Sequence, residues 1–193
     1  MEPNEKSRKP ADGEKEKDSG RFSSNLFDWG ESLVIAVLFV VVLFTFVFRI
    51  VIVDGHSMES TLHHGDLMIV SSIGYHREHG DIVVLRSEYY DRPIVKRIIA
   101  VEGDTVDIDF QNAQVYLNGE PLDEPYLDDF YYFEEEGVEF PQTVPEGCIF
   151  VLGDNRTGST DSRNPNIGMV DERAVIGKVR FTVFPFDAFG AVE

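Results

Sequence analysis

At 193 residues the chain suffices for one ordinary domain and an appendage. Its 17 Lys and Arg against 35 Asp and Glu leave a formal charge of −18, which excludes a nucleic-acid partner that needs a basic surface. The one cysteine, Cys148, closes no internal disulfide, and no Cys/His spacing matches a structural zinc site.

Residues 1–27 are rich in Lys, Glu, Ser, Gly and Pro with almost no apolar residue before Phe22, a composition that predicts a disordered tail. From Leu33 to Phe48 the sequence carries no charge over 16 residues. Trp29 precedes this run, Arg49 interrupts it and Ile50-Val51-Ile52-Val53 extends it. Spanning a bilayer takes about 20 apolar residues, and an arginine near the end can reach the headgroups. A single transmembrane helix is therefore predicted over 28–53. The run is long for a cleavable leader and no small-x-small pair follows, so an uncleaved anchor is expected. Six Lys and Arg precede the run, whereas only Arg49 lies close on its far side. That asymmetry predicts a cytoplasmic N-terminus and an extracytoplasmic domain over 54–193.

This outer domain holds 140 residues, 10 of them basic and 27 acidic. Short apolar runs recur between turn signals at Asp66–Val70, Asp81–Arg86, Ile94–Val101, Thr105–Phe110, Gln114–Leu117, Cys148–Leu152 and Ala174–Val183. Gly103-Asp104 and Asn118-Gly119 are turn pairs. No stretch after Val53 has convincing helical periodicity, so the prediction is a mostly-β module, a barrel or packed sheets. Residues 120–146, acidic and aromatic, read as an irregular excursion: a partner surface, or a solvated loop whose aromatics pack on the sheet.

Among the residues able to do chemistry, Ser57 sits in DGHSMESTL, four residues beyond Val53. Four extended residues reach at most about 13 Å, which would tether its hydroxyl at the membrane surface. Gly55 permits a close backbone approach. Serines in such loops are also common turn formers. His56 is a poor base for its neighbour, because adjacent side chains in an extended loop point apart. The outer domain has only two lysines. Alternation puts Lys178 on a wet face with Arg180. Lys96, in PIVKRIIAV, falls with Ile94, Ile98 and Ala100, while Arg97 falls with Val95, Ile99 and Val101. Desolvation there would lower the ammonium pKa and leave a neutral amine able to act as a base. Alternatively the side chain snorkels to the sheet edge or pairs with an acid. The polar turn GDNRTGSTDSRNPNIGMV, beginning at Gly153, offers Ser159 or Ser162 to orient that lysine and Arg–Asp pairs to stiffen it.

Taken together, DGHSMESTL, GDIVVLR with IVKRIIAVEGD, and VPEGCIFVLGDNRTGSTDSR resemble the bacterial type I signal peptidase family in order and spacing. The resemblance implies a β-rich serine endopeptidase of the plasma membrane that removes signal peptides from exported preproteins after small-x-small residues, through an acyl-enzyme. Its partners would be those preproteins and the phospholipid bilayer; no metal or organic cofactor is implied. By position, Ser57 is the nucleophile and Lys96 the general base. Ser159 matches the hydroxyl that orients the lysine, and Gly153 the small residue beneath it. Asp154 with Arg97, and Asp161 with Arg163, match supporting ion pairs. Val53, Met58, Leu62, Ile94 and Val95 fall where the family lines apolar substrate pockets. The Ser57 backbone N–H is implied as one oxyanion donor. Some members carry a serine where this chain has Gly55, which leaves the second donor to a backbone N–H or water. The proline of the family's Met-x-Pro-Thr-Leu is Ser60 here.

A self-cleaving maturation protease with the same dyad would need a regulatory module or an internal cleavage site. A cysteine transpeptidase using Cys148 lacks a placed histidine. A membrane-tethered acidic receptor is the non-enzymatic alternative.

Overall fold

The computed structural model describes residues 29–43, 47–127 and 138–192. The chain divides into two compact units, Met1–Phe46 and Val47–Glu193. In the first, residues 29–43 form a helix, α1, along which the apolar side chains from Trp29 to Val42 are exposed. Among the described residues no helix is long and apolar enough to cross a membrane. The tail predicted over 1–27 lies outside the described residues.

The second unit is mostly β. Its strands are β1 (Phe48–Ile52), β2 (Leu67–Ser71), β3 (Ile82–Leu85), β4 (Ile94–Val101), β5 (Thr105–Asp109), β6 (Gln114–Leu117), β7 (Glu120–Pro121), β8 (Gln142–Thr143), β9 (Cys148–Leu152), β10 (Val170–Asp171), β11 (Val175–Phe184) and β12 (Gly190–Ala191). The larger sheet runs β1-β2-β11-β3-β4-β9-β10 with β12 on β11, and the smaller runs β7-β6-β5-β8. All paired strands are antiparallel. These are packed sheets rather than a closed barrel, since the end strands β1 and β10 do not meet. Each apolar run read from the sequence became a strand, because alternating or continuous β-branched residues between turns fit a pleated, half-buried surface.

One stretch departs from the expectation. Phe48–Ile52, which hydropathy assigns to the anchor, is β1, with Arg49 opposite Val70 and Ile50 opposite Ile69. Apolarity alone does not mark where a helix gives way to a strand; the β-branched Ile50, Val51 and Ile52 favour the extended chain. Val53 is 5% exposed and belongs to the core, so along the sequence β1 lies between the end of α1 and Ser57.

β4 is an interior strand, flanked by β3 and β9, and it is buried over Lys96–Ala100. A register shift opposite β9, between Ile98 and Ala100, changes its phase. Ile98 packs with Val83, Leu85 and Val151, whereas Ile99 and Ala100 both join Val106, Phe150 and Leu152, where the two sheets meet. Strict alternation, which had placed Ile98 and Ala100 on one face, fails at this bulge because one extra residue reverses the side-chain order. A third cluster, with Met58, Leu62, Met68, Ile82 and Val84, forms a floor beneath residues 53–62. The stretch 120–146 contributes β7 and β8 at its ends, and residues 128–137 lie outside the described residues.

Candidate active site

The loop after β1 is pinned at both ends: Val53 N–H donates to Asp66 O (2.9 Å) and Gly65 N–H to Val53 O (2.9 Å). Gly55 takes φ +125°, a left-handed conformation that side chains rarely adopt, and its N–H donates to His64 Nδ1 at 3.2 Å. Leu62 N–H closes back on Met58 O at 2.8 Å, so Met58 and Leu62 plug the floor while Ser57 stays half-exposed above them. His56 is exposed and bonds Glu59 at 2.6 Å, not Ser57.

Lys96 comes up from the middle of β4 with 3% of its surface exposed. Its Nζ lies 2.8 Å from Ser57 Oγ. Among the described residues Lys96 neither snorkels to the sheet edge nor pairs with a carboxylate. Burial pushes the ammonium down to about 8, with Arg163 adding to the effect and the carboxylates of Asp161 and Asp154 opposing it. Lys178, expected on a wet face, instead pairs with the buried carboxylate of Asp81.

The polar turn wraps this pair from the other side. Asn155 N–H donates to Ser57 O at 3.1 Å, and Asn155 Nδ2 to His56 O at 3.1 Å. Arg97 grips Asp154 with two parallel bonds, at 2.9 and 2.8 Å, and also donates to Gly80 O at 2.7 Å. Arg163 grips Asp161 in the same forked way, at 2.8 and 2.9 Å. These charges are buried yet paired and hydrogen-bonded, the condition under which burial is tolerated. Burial would raise the Asp161 carboxyl, but the bonds from Arg163 and from Gly153 N–H hold it below its ordinary value.

Gly153 sits where a side chain cannot. A Cβ there would fall 2.2 Å from Ser159 Oγ and 2.4 Å from Ser57 O. The Ser159 hydroxyl is sealed from solvent and has no hydrogen-bond partner among the described residues; the Lys96 amine bonds Ser57 instead. Ser162, the alternative hydroxyl, accepts from Val151 N–H at 2.9 Å and is occupied in joining the turn to β9. Val53, Met58, Ile94 and Val95 line a groove beside Ser57. Leu62 does not; it is 1% exposed and lies in the floor, because the helical turn at Met58–Leu62 points it inward.

Several contributors went unread in the sequence. Thr61 donates to Asp154 Oδ2, and the Tyr126 ring lies against Arg97, 3.8 Å from the guanidinium carbon. Glu124, from the acidic excursion, is buried against Arg156. For Glu124 and Tyr126 the sequence signal was the aromatic-acidic mixture of 120–127, which suits a solvated loop equally well.

A mostly-β fold that holds a serine hydroxyl against a buried amine, whose charged form burial disfavours, defines a class of protein equipped to make a serine nucleophile. The family model described as "Signal peptidase, peptidase S26" matches residues 26–184. The chain is 37% identical to "Signal peptidase I" of Bacillus licheniformis over 181 residues, covering 89% of this chain and 96% of that protein. It is 36% identical to "Signal peptidase I T" of Bacillus subtilis strain 168, covering 89% and 92%. A crystal structure of a signal peptidase I from Enterococcus faecalis V583 is 32% identical, with a TM-score of 0.46 over 54% of this chain and 97% of that one. The chain belongs to the signal peptidase family, peptidase S26, as an enzyme of the type I signal peptidase class.

Proposed function

We propose that the chain cleaves N-terminal signal peptides from exported preproteins as a membrane-anchored serine endopeptidase, with Ser57 as nucleophile and Lys96 as general base. The observation that carries this reading is the 2.8 Å approach of Lys96 Nζ to Ser57 Oγ inside a pocket that disfavours the ammonium. Neutral Lys96 takes the Ser57 proton as Oγ attacks the scissile carbonyl, then gives it to the departing amine, leaving an acyl-enzyme. Water, deprotonated by the same amine, releases the signal peptide and regenerates Ser57. Ser57 N–H donates to no group among the described residues and suits the developing oxyanion. The resemblance assigns Ser159 to orient the amine, to which its hydroxyl makes no hydrogen bond in this structure, while Gly153 and the Asp154–Arg97 and Asp161–Arg163 pairs hold the frame. An extended substrate fits the groove with its small side chains against Val53, Met58, Ile94 and Val95.

The anchor belongs to the same proposal. α1 exposes apolar side chains along its length, but its 15 residues cover only about 22 Å of a hydrocarbon core near 30 Å. The reading therefore draws also on the uncharged sequence between α1 and β1. The N-terminus then lies in the cytoplasm and the β unit outside the plasma membrane.

The test is incubation of the full chain in vesicles with a signal-bearing precursor, followed by mapping of the new N-terminus. Cleavage after a small-x-small sequence is expected, and Ser57→Ala, still folded, should lose it by a factor of about 10⁴ or more. Absence of any cleavage by the unaltered protein overturns the function; persistence in Ser57→Ala overturns the nucleophile. Acidity supplies a second check. Only the neutral amine is a base, so kcat/KM should rise as pH climbs through about 8. A flat profile from about pH 6 to about 10 would contradict the role of Lys96.

A further inference from the structure

The segment following β7 looks, from its sequence, like a surface loop, yet Glu124 is 6% exposed. Its carboxylate receives two donors from Arg156, Nη1 to Oε2 at 3.1 Å and Nη2 to Oε1. Tyr126 OH adds a third bond to Oε1, at 2.8 Å. Arg156 Nε–H donates to the carbonyl of Gly153, at 3.0 Å, and its own carbonyl accepts from Arg163 at 2.9 Å. Gly153 is thus held by a side chain at each of its polar groups: Arg156 at the carbonyl and Asp161 at the N–H, 3.0 Å away. This is also the residue whose Cα lies against Ser57 O and Ser159. The same short segment supports the second arginine, through the Tyr126 ring against Arg97 and the Tyr126 carbonyl, which accepts from Ser60 Oγ at 2.9 Å.

We propose that Glu124 is a positioning residue for the reaction: through Arg156 it fixes the Gly153 carbonyl, and so the spacing between the Ser57 loop and the Ser159 turn. It touches neither substrate nor the reacting atoms. The inference rests on the Ser57–Lys96 reading and extends it to a segment whose acidic, aromatic sequence suits a partner surface or a solvated loop. A carboxylate with three donors keeps a guanidinium plane in one orientation, which a point charge or a single acceptor does not. Displacement of a reacting group by about 1 Å costs on the order of a hundredfold in rate, while substrate binding in the groove, lined by other residues, is left alone.

The test uses the full chain and a signal-bearing precursor, with the double variant Glu124→Leu, Arg156→Met. Replacing a buried ion pair with apolar residues of similar volume is often neutral or stabilising, so this variant separates folding from positioning. A melting temperature at or above that of the unaltered protein, with kcat lowered about a hundredfold and KM within about twofold, is the expected result. An unchanged kcat in that folded protein overturns the proposal, as does a loss seen only in KM. Should the double variant not fold, Glu124→Gln decides. It keeps the size and one acceptor, so a reduced kcat at constant KM supports the role and an unaltered kcat ends it. Ser57→Ala is run alongside. If it still cleaves, the catalytic reading fails, and Glu124 falls with it; if it is inert while the Glu124 variants are fully active, only the positioning role falls.

Discussion

Lys96→Met will abolish precursor cleavage while making the protein more stable at neutral pH. The amine is the proposed base, and methionine has similar bulk without a proton acceptor. The stability gain follows from burial. A free lysine titrates near 10.4, whereas burial brings Lys96 to about 8. Between those values the unfolded chain binds more protons than the folded one, so stability of the unaltered protein rises with pH across that interval. Below about 8 the folded protein carries a desolvated ammonium at a cost of about 3 kcal/mol. Methionine removes that cost but leaves the Ser57 hydroxyl without its partner, a loss of about 1 kcal/mol. Thermal melts at several pH values should show the variant ahead by a few degrees at pH near 6, with the gap closing as pH passes the free-lysine value. Cleavage by Lys96→Met at the normal rate, or a variant that melts earlier at every pH, contradicts the account.

Gly153→Ala is the second large effect, and it acts on both fold and rate. The added Cβ meets Ser57 O at 2.4 Å and Ser159 Oγ and Cβ at 2.2 and 2.5 Å. In an open site the Ser159 side chain would rotate away, but here it is sealed in and the Ser57 carbonyl is backbone, so the two loops must separate. Overpacking of this kind costs about 1–3 kcal/mol. The separation also breaks the Asn155 N–H bond to Ser57 O and moves the hydroxyl relative to Lys96, for a further loss of about a hundredfold in kcat. Gly190→Ala is the matched control, because a Cβ there meets nothing within 4 Å and its backbone is not left-handed. Stability and kcat measured on both variants separate crowding at Gly153 from a general intolerance of alanine. Equal behaviour of the two would remove the argument.

The sequence by itself determined the strands and the polar turn. Seven apolar runs between turn residues became strands, because a residue's preference for a pleated surface is local and visible in its immediate neighbours. Lys96 and Arg97 were also legible as charges stranded among aliphatics, and GDNRTGSTDSR as a turn too polar to be left unpaired. What the tertiary structure decided was everything that depends on which elements meet. Phe48–Ile52 is apolar enough for a bilayer and is a strand only because Leu67–Ser71 lies alongside it. Lys96 meets Ser57 across 39 residues of sequence, and Glu124 meets Arg156 across 32, distances over which no periodicity carries information. A buried carboxylate and a solvated one have the same local sequence; burial is set by what the rest of the chain packs over them.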